Sequence, residues 1–157
     1  MNGIRIKLIL SVVLALIVIL TACSSSTPSA VSVTTNSENT EYAVYFRVLN
    51  KNDDAIQTSG TAKLIIYGDR FKSQAEDTPI FTEEITLAKS DWIRMSFPGF
   101  TYVTARERQS GKLDPDPWGY KWEITYDEIQ HSDNGNWWVE IYFTPQNGET
   151  IKGTYRY

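Results

Sequence analysis

Two residues in this chain of 157 could supply the usual chemistry of nucleophile and neutral-pH base. They are its single cysteine, Cys23, and its single histidine, His131. A Ser–His–Asp or Cys–His arrangement needs a histidine oriented by a third group. His131 sits in the polar stretch Asp127-Glu128-Ile129-Gln130-His131-Ser132-Asp133-Asn134-Gly135-Asn136, which reads as a solvated turn. Zinc needs three or four nitrogen, sulfur or carboxylate ligands, so one histidine and one cysteine make a zinc site improbable. Calcium takes oxygen ligands, and two acidic stretches offer them, Asp53-Asp54 and Asp114-Pro115-Asp116. Neither has the spacing of a helical calcium loop. Glu123 and Glu140 stand among Trp and Tyr residues and form the one carboxylate pair to weigh for glycoside hydrolysis. Alternation places Glu123 on a solvent face, so the reading carried forward has no catalytic residue, no metal and no cofactor.

Aromatic residues are the unusual feature, with 5 Trp, 9 Tyr and 6 Phe, all after residue 41. In Trp137–Thr144 the set Trp137, Val139, Ile141, Phe143 is the more apolar. Trp138, Glu140 and Tyr142 are therefore the expected outer set and the candidate binding surface. Exposed rings of this kind anchor a protein partner or stack on sugars. The net charge of −4 argues against nucleic acid as partner, since phosphate binding needs clustered cations.

The elements that position these residues follow a period of two. Strands are expected over 42–49, 61–67, 80–87, 92–97, 118–126, 137–144 and 149–157, with a continuation over 100–104. Polar connections fall at 50–60, 71–78, 106–117 and 131–136, and Pro145-Gln146-Asn147-Gly148 marks a hairpin. Seven or eight strands at this spacing, without an amphipathic helix, predict an all-β antiparallel sandwich of immunoglobulin or fibronectin III type. A small eight-stranded barrel is the alternative.

The first 40 residues differ in kind. Arg5 and Lys7 precede a 13-residue apolar run, Leu8–Leu20, that reaches about 20 Å as a helix, short of a roughly 30 Å hydrocarbon core. A basic start, a short apolar core and small residues at its exit describe an export signal. Leu20-Thr21-Ala22-Cys23 then resembles the lipobox of prokaryotic membrane lipoproteins. The resemblance implies cleavage before Cys23, a diacylglycerol thioether on its sulfur, an acylated mature N-terminus and an extracytoplasmic, membrane-anchored location. An uncleaved anchor and an ordinary secreted protein are the alternatives. Without residues 1–22 the chain carries 13 cations against 19 acids, or −6. Residues 23–40, rich in Ser and Thr, read as the lipidated cysteine and a flexible tether, with a typical span of about 20–25 Å. The domain is then 41–157.

That domain loosely resembles the immunoglobulin-like domains of prokaryotic surface lipoproteins, through Phe46–Asn50, Ser59–Leu64 and Glu149–Gly153. The resemblance implies a fold and no catalytic chemistry. The expected function is noncatalytic binding or scaffolding at the cell surface, with the membrane and a membrane or cell-envelope protein as partners. A carbohydrate-binding module, a small-ligand barrel and a glycan-active enzyme are the competing readings.

Overall fold

The computed structural model describes residues 26–38, 41–68, 78–95, 117–125, 128–129 and 137–156. Their long strands are β1 (Pro28–Glu38), β2 (Glu41–Asn50), β4 (Gly60–Gly68), β5 (Pro79–Leu87), β7 (Trp118–Thr125), β8 (Trp137–Pro145) and β9 (Ile151–Arg156). Two-residue strands β3 (Ala55–Ile56) and β6 (Ile93–Arg94) and a 3-10 turn at Lys89–Asp91 complete the set. The strands form two antiparallel sheets, β1-β2-β7-β6 with β3 also on β2, and β5-β4-β8-β9. They remain two stacked layers, and the barrel alternative is set aside. With β3 left out, the chain order A, B, C, C′, D, E, F, G gives sheets A-B-E-D and C′-C-F-G, the immunoglobulin arrangement.

Alternation decides what goes between the sheets. Val44, Phe46 and Val48 of β2, Trp122 and Ile124 of β7, Leu64 and Ile66 of β4, and Val139, Ile141 and Phe143 of β8 are all buried. Trp92 is the largest of the fully buried side chains. Its ring meets Phe46 of one sheet at 5.5 Å and Phe143 of the other at 5.9 Å, both edge to face. Its indole N–H donates to the Thr58 carbonyl at 2.7 Å. The strand expected over 92–97 is therefore shorter at its start. Trp92 follows the 3-10 turn and fills the core, and pairing begins at Ile93 opposite Gly119.

The tether expected over 24–40 is corrected. Pro28–Glu38 is an 11-residue strand paired with β2 from Pro28 opposite Asn50 to Glu38 opposite Glu41, with a shift of register at Ser29. Serine and threonine make the segment polar by composition. Yet Val31, Val33 and Thr35 alternate onto the core face and are buried, and β-branched residues suit a pleated surface. This strand also closes one side of the sandwich against β9. A β-carbon on Gly153 would sit 2.6 Å from the Val31 carbonyl oxygen and 2.8 Å from a Val33 methyl. Only glycine lets the two edge strands approach so closely.

Asn50 turns the chain from β2 into β3. Its side-chain oxygen accepts the N–H groups of Asn52 at 2.8 Å and Asp54 at 3.0 Å. Its amide donates to the Asp54 carboxylate at 3.1 Å. Asp53 takes the left-handed conformation, φ 65°, that the turn requires and that Asp tolerates. The acids Asp53 and Asp54, weighed above as calcium ligands, thus belong to a turn organised by Asn50. Among the described residues, no three His, Cys, Asp or Glu side chains gather as metal ligands.

Two core substitutions test this packing. Trp92→Ala removes the ring that spans both sheets and should cost about 3–5 kcal/mol in urea unfolding, whereas Trp92→Phe should cost distinctly less. Gly60→Ala places a methyl 2.4 Å from the Thr144 carbonyl oxygen and 2.7 Å from the Phe143 ring. Overpacking of that kind should cost about 1–3 kcal/mol by the same measurement.

Candidate functional site

Strand β8 is central in its sheet, between β4 and β9, so its outward side chains are flanked on both sides. Trp138 pairs with Tyr67 of β4 and Arg156 of β9. Glu140 lies between Ile65 and Thr154, and Tyr142 between Lys63 and Lys152. Inward, Val139, Ile141 and Phe143 are fully buried. The inner and outer sets thus fall as alternation predicts.

The exposure of the outer set does not follow alternation. Trp138 and Tyr142 are half-buried, and Glu140 keeps only 2% of its surface. The carboxylate is covered by its own donors. Oε1 accepts the Trp138 indole N–H at 2.8 Å, and Oε2 accepts the Tyr142 hydroxyl at 2.8 Å. Lys152 Nζ lies 2.8 Å from Oε1. Period-two spacing puts residues 138, 140 and 142 on one face. It leaves open that two large rings, each ending in a donor, fold back over the acid between them.

Burial alone would push the Glu140 carboxyl up. The hydrogen bonds from Lys152, Tyr142 and Trp138, with the Lys152 charge, outweigh it and hold the group below the usual glutamate value. The Glu140 hydrogen bond pushes Lys152 up from the usual lysine value against a smaller desolvation penalty. Lys152 also stands over the Tyr142 ring, 5.1 Å from its centre, and the Arg156 guanidinium lies 5.8 Å from the centre of Trp138. Each ring is held at its polar end by the acid and faced by a cation.

Lys152 and Arg156 join the site from β9, and spacing within β8 alone does not reveal them. The signal was present in the hairpin, because a turn at 145–150 puts residue 152 opposite 142 and residue 156 opposite 138. The other candidate residues separate. Glu123 lies on the outer face of the other sheet, exposed and ion-paired with Lys121. Glu123 and Glu140 therefore face away from each other across the sandwich and cannot flank one glycosidic bond. Cys23, His131, Asp114 and Asp116 lie outside the described residues, as do the strand expected over 100–104 and the 106–117 loop apart from Pro117.

No protein-family model matches this chain, and no curated protein matches it.

The cluster makes a signed prediction about pH. A carboxyl held low in the folded state adds stability at neutral pH, and that contribution is lost as pH falls through its folded value. A lysine held high adds stability below its unfolded value and loses it as pH rises through its folded value. Glu140→Gln should cost about 1–3 kcal/mol at neutral pH. In thermal melts, the gap between wild type and variant should shrink on acidification below the usual glutamate range.

Proposed function

We propose that this protein is a noncatalytic, lipid-anchored binding domain on the extracytoplasmic face of a cell membrane. Its binding surface is the outer face of the β5-β4-β8-β9 sheet around Trp138 and Tyr142. The observation that carries the reading is the buried Glu140 carboxylate. It holds both rings by their polar ends at 2.8 Å, so the rings are oriented before any partner arrives. Binding then sacrifices little side-chain freedom, the cost that most weakens association through long surface side chains. Trp, Tyr and Arg, present here as Trp138, Tyr142 and Arg156, are the residue types enriched at protein interfaces.

A membrane or cell-envelope protein is the favoured partner class over a glycan. Sugar stacking uses an open ring face, and here Arg156 and Lys152 stand over Trp138 and Tyr142. The anchor rests on the order of basic residues, short apolar run and Leu20-Thr21-Ala22-Cys23. In this reading Cys23 carries the lipid, and the lipid confines the domain to the membrane surface.

Two experiments test the two parts. Cys23→Ala should abolish the incorporation of labelled fatty acid into the protein in a lipoprotein-processing host, and incorporation that persists in the variant refutes the anchor. Cross-linking of the full-length protein in its membrane, with mass spectrometry of its neighbours, should find a discrete protein neighbour. That neighbour should be lost in the Trp138→Ala, Tyr142→Ala double variant while the circular dichroism of the fold persists. A neighbour that survives the double variant refutes the proposed face.

A further inference from the structure

The start of β1 bears on how the domain sits at the membrane. Cys23 and Pro28 are five residues apart, a link that spans at most about 18 Å when fully extended. Pairing already holds the chain there. Pro28 is opposite Asn50, and the Ser29 hydroxyl donates to the Leu49 carbonyl at 3.1 Å.

Strand directions identify which end of the sandwich this is. β1 leaves it as β2 arrives, so the turn Asn50–Asp54 lies beside Pro28. In the other sheet Gly60 pairs with both Pro145 and Leu87, and the Gln146 N–H donates to the Ser59 carbonyl at 3.0 Å. Gly153, near the start of β9, rests on Val31, near the start of β1, so the 145–150 turn lies at the same end. The opposite end carries Gly68, Pro79 and Arg156. Along β4 the two ends are about 26 Å apart.

A second observation points to the same end. Ile93 is the one large apolar side chain exposed among the described residues, at 52%. It pairs with Gly119, one residue into β7 from the Pro28 end, and its neighbour Arg94 lies 4.7 Å from the centre of the Trp118 ring. Arg94 and the half-buried Trp118 lie on the opposite face of the sheet, where Trp118 packs against the core, so the exposed aliphatic side chain of Ile93 is what this edge offers to lipid. Among the described residues at this end, Lys51, Lys89 and Arg94 are matched by Asp53, Asp54, Asp91 and Glu149, so these charges give no net attraction to anionic lipid. Link length and the Ile93 edge set the orientation.

We propose that the end of the sandwich bearing Asn50–Asp54, the 145–150 turn and the Ile93 edge is apposed to the lipid surface. The opposite end stands away from it, with the Trp138–Tyr142 face upright beside the membrane. The inference rests on the lipid anchor at Cys23.

The test uses the full-length protein processed in a bacterial host and reconstituted in phosphatidylcholine–phosphatidylglycerol vesicles containing a headgroup nitroxide lipid. A fluorophore is attached in separate samples through Asn147→Cys at the near end and Thr78→Cys at the far end. Both positions are exposed. Flotation of the vesicles reports the anchor, and quenching by the nitroxide reports orientation. The expected result is flotation of both samples with quenching several-fold stronger at position 147 than at 78. Flotation with equal or reversed quenching overturns the orientation and leaves the anchor standing. Failure to float overturns the anchor and the orientation together.

Discussion

Antibody domains of this strand order pin their two sheets with a disulfide from strand B to strand F, against which a tryptophan packs. This chain has one cysteine, and it lies before the first strand. Phe46 on the second strand and Phe143 on the eighth instead meet the two sides of Trp92 at 5.5 and 5.9 Å. The indole is fixed by its hydrogen bond to Thr58. A covalent bridge is replaced by a wedge of three rings, strong through buried area and edge-to-face contact. The strands that carry these rings take their facing from it. Phe143 fixes the phase of β8, and the phase of β8 decides that Trp138, Glu140 and Tyr142 point outward.

The outward face in turn resolves a conflict between burial and charge. A carboxylate with 2% of its surface left in contact with water should be costly. Three donors on the same sheet offset the cost, one of them a cation. Removing any one leaves the others around a less satisfied acid, so the four side chains behave as a unit. That unit gives the sheet surface two rings of fixed orientation.

Much of this architecture was legible in the residue pattern. Alternation located the long strands from residue 42 onward and separated the inner from the outer residues of β8. Composition misled at β1, where serine and threonine concealed Val31, Val33 and Thr35 on one face. The pattern was there, but an edge strand needs only one apolar side and looks polar by count. Glu140 is the other instructive case. Its outward position follows from spacing, while its burial depends on how the Trp138 and Tyr142 rings lean and on Lys152 from the next strand. Pairwise register is a tertiary fact that no single strand contains.

The meeting of β1 with β9 at Gly153 has a consequence for the timing of folding. The first and last strands of the sandwich close its side against each other across nearly the whole domain sequence. Such closure cannot begin until the C-terminal strand exists, and long-range contacts of this kind fold slowly. An incomplete chain leaves Val31 and Val33 uncovered and the sheets open on that side. The proposed extracytoplasmic location requires the chain to cross a membrane, and a seam that forms last suits that passage. The topology itself keeps the emerging chain from locking shut before its last residues have passed.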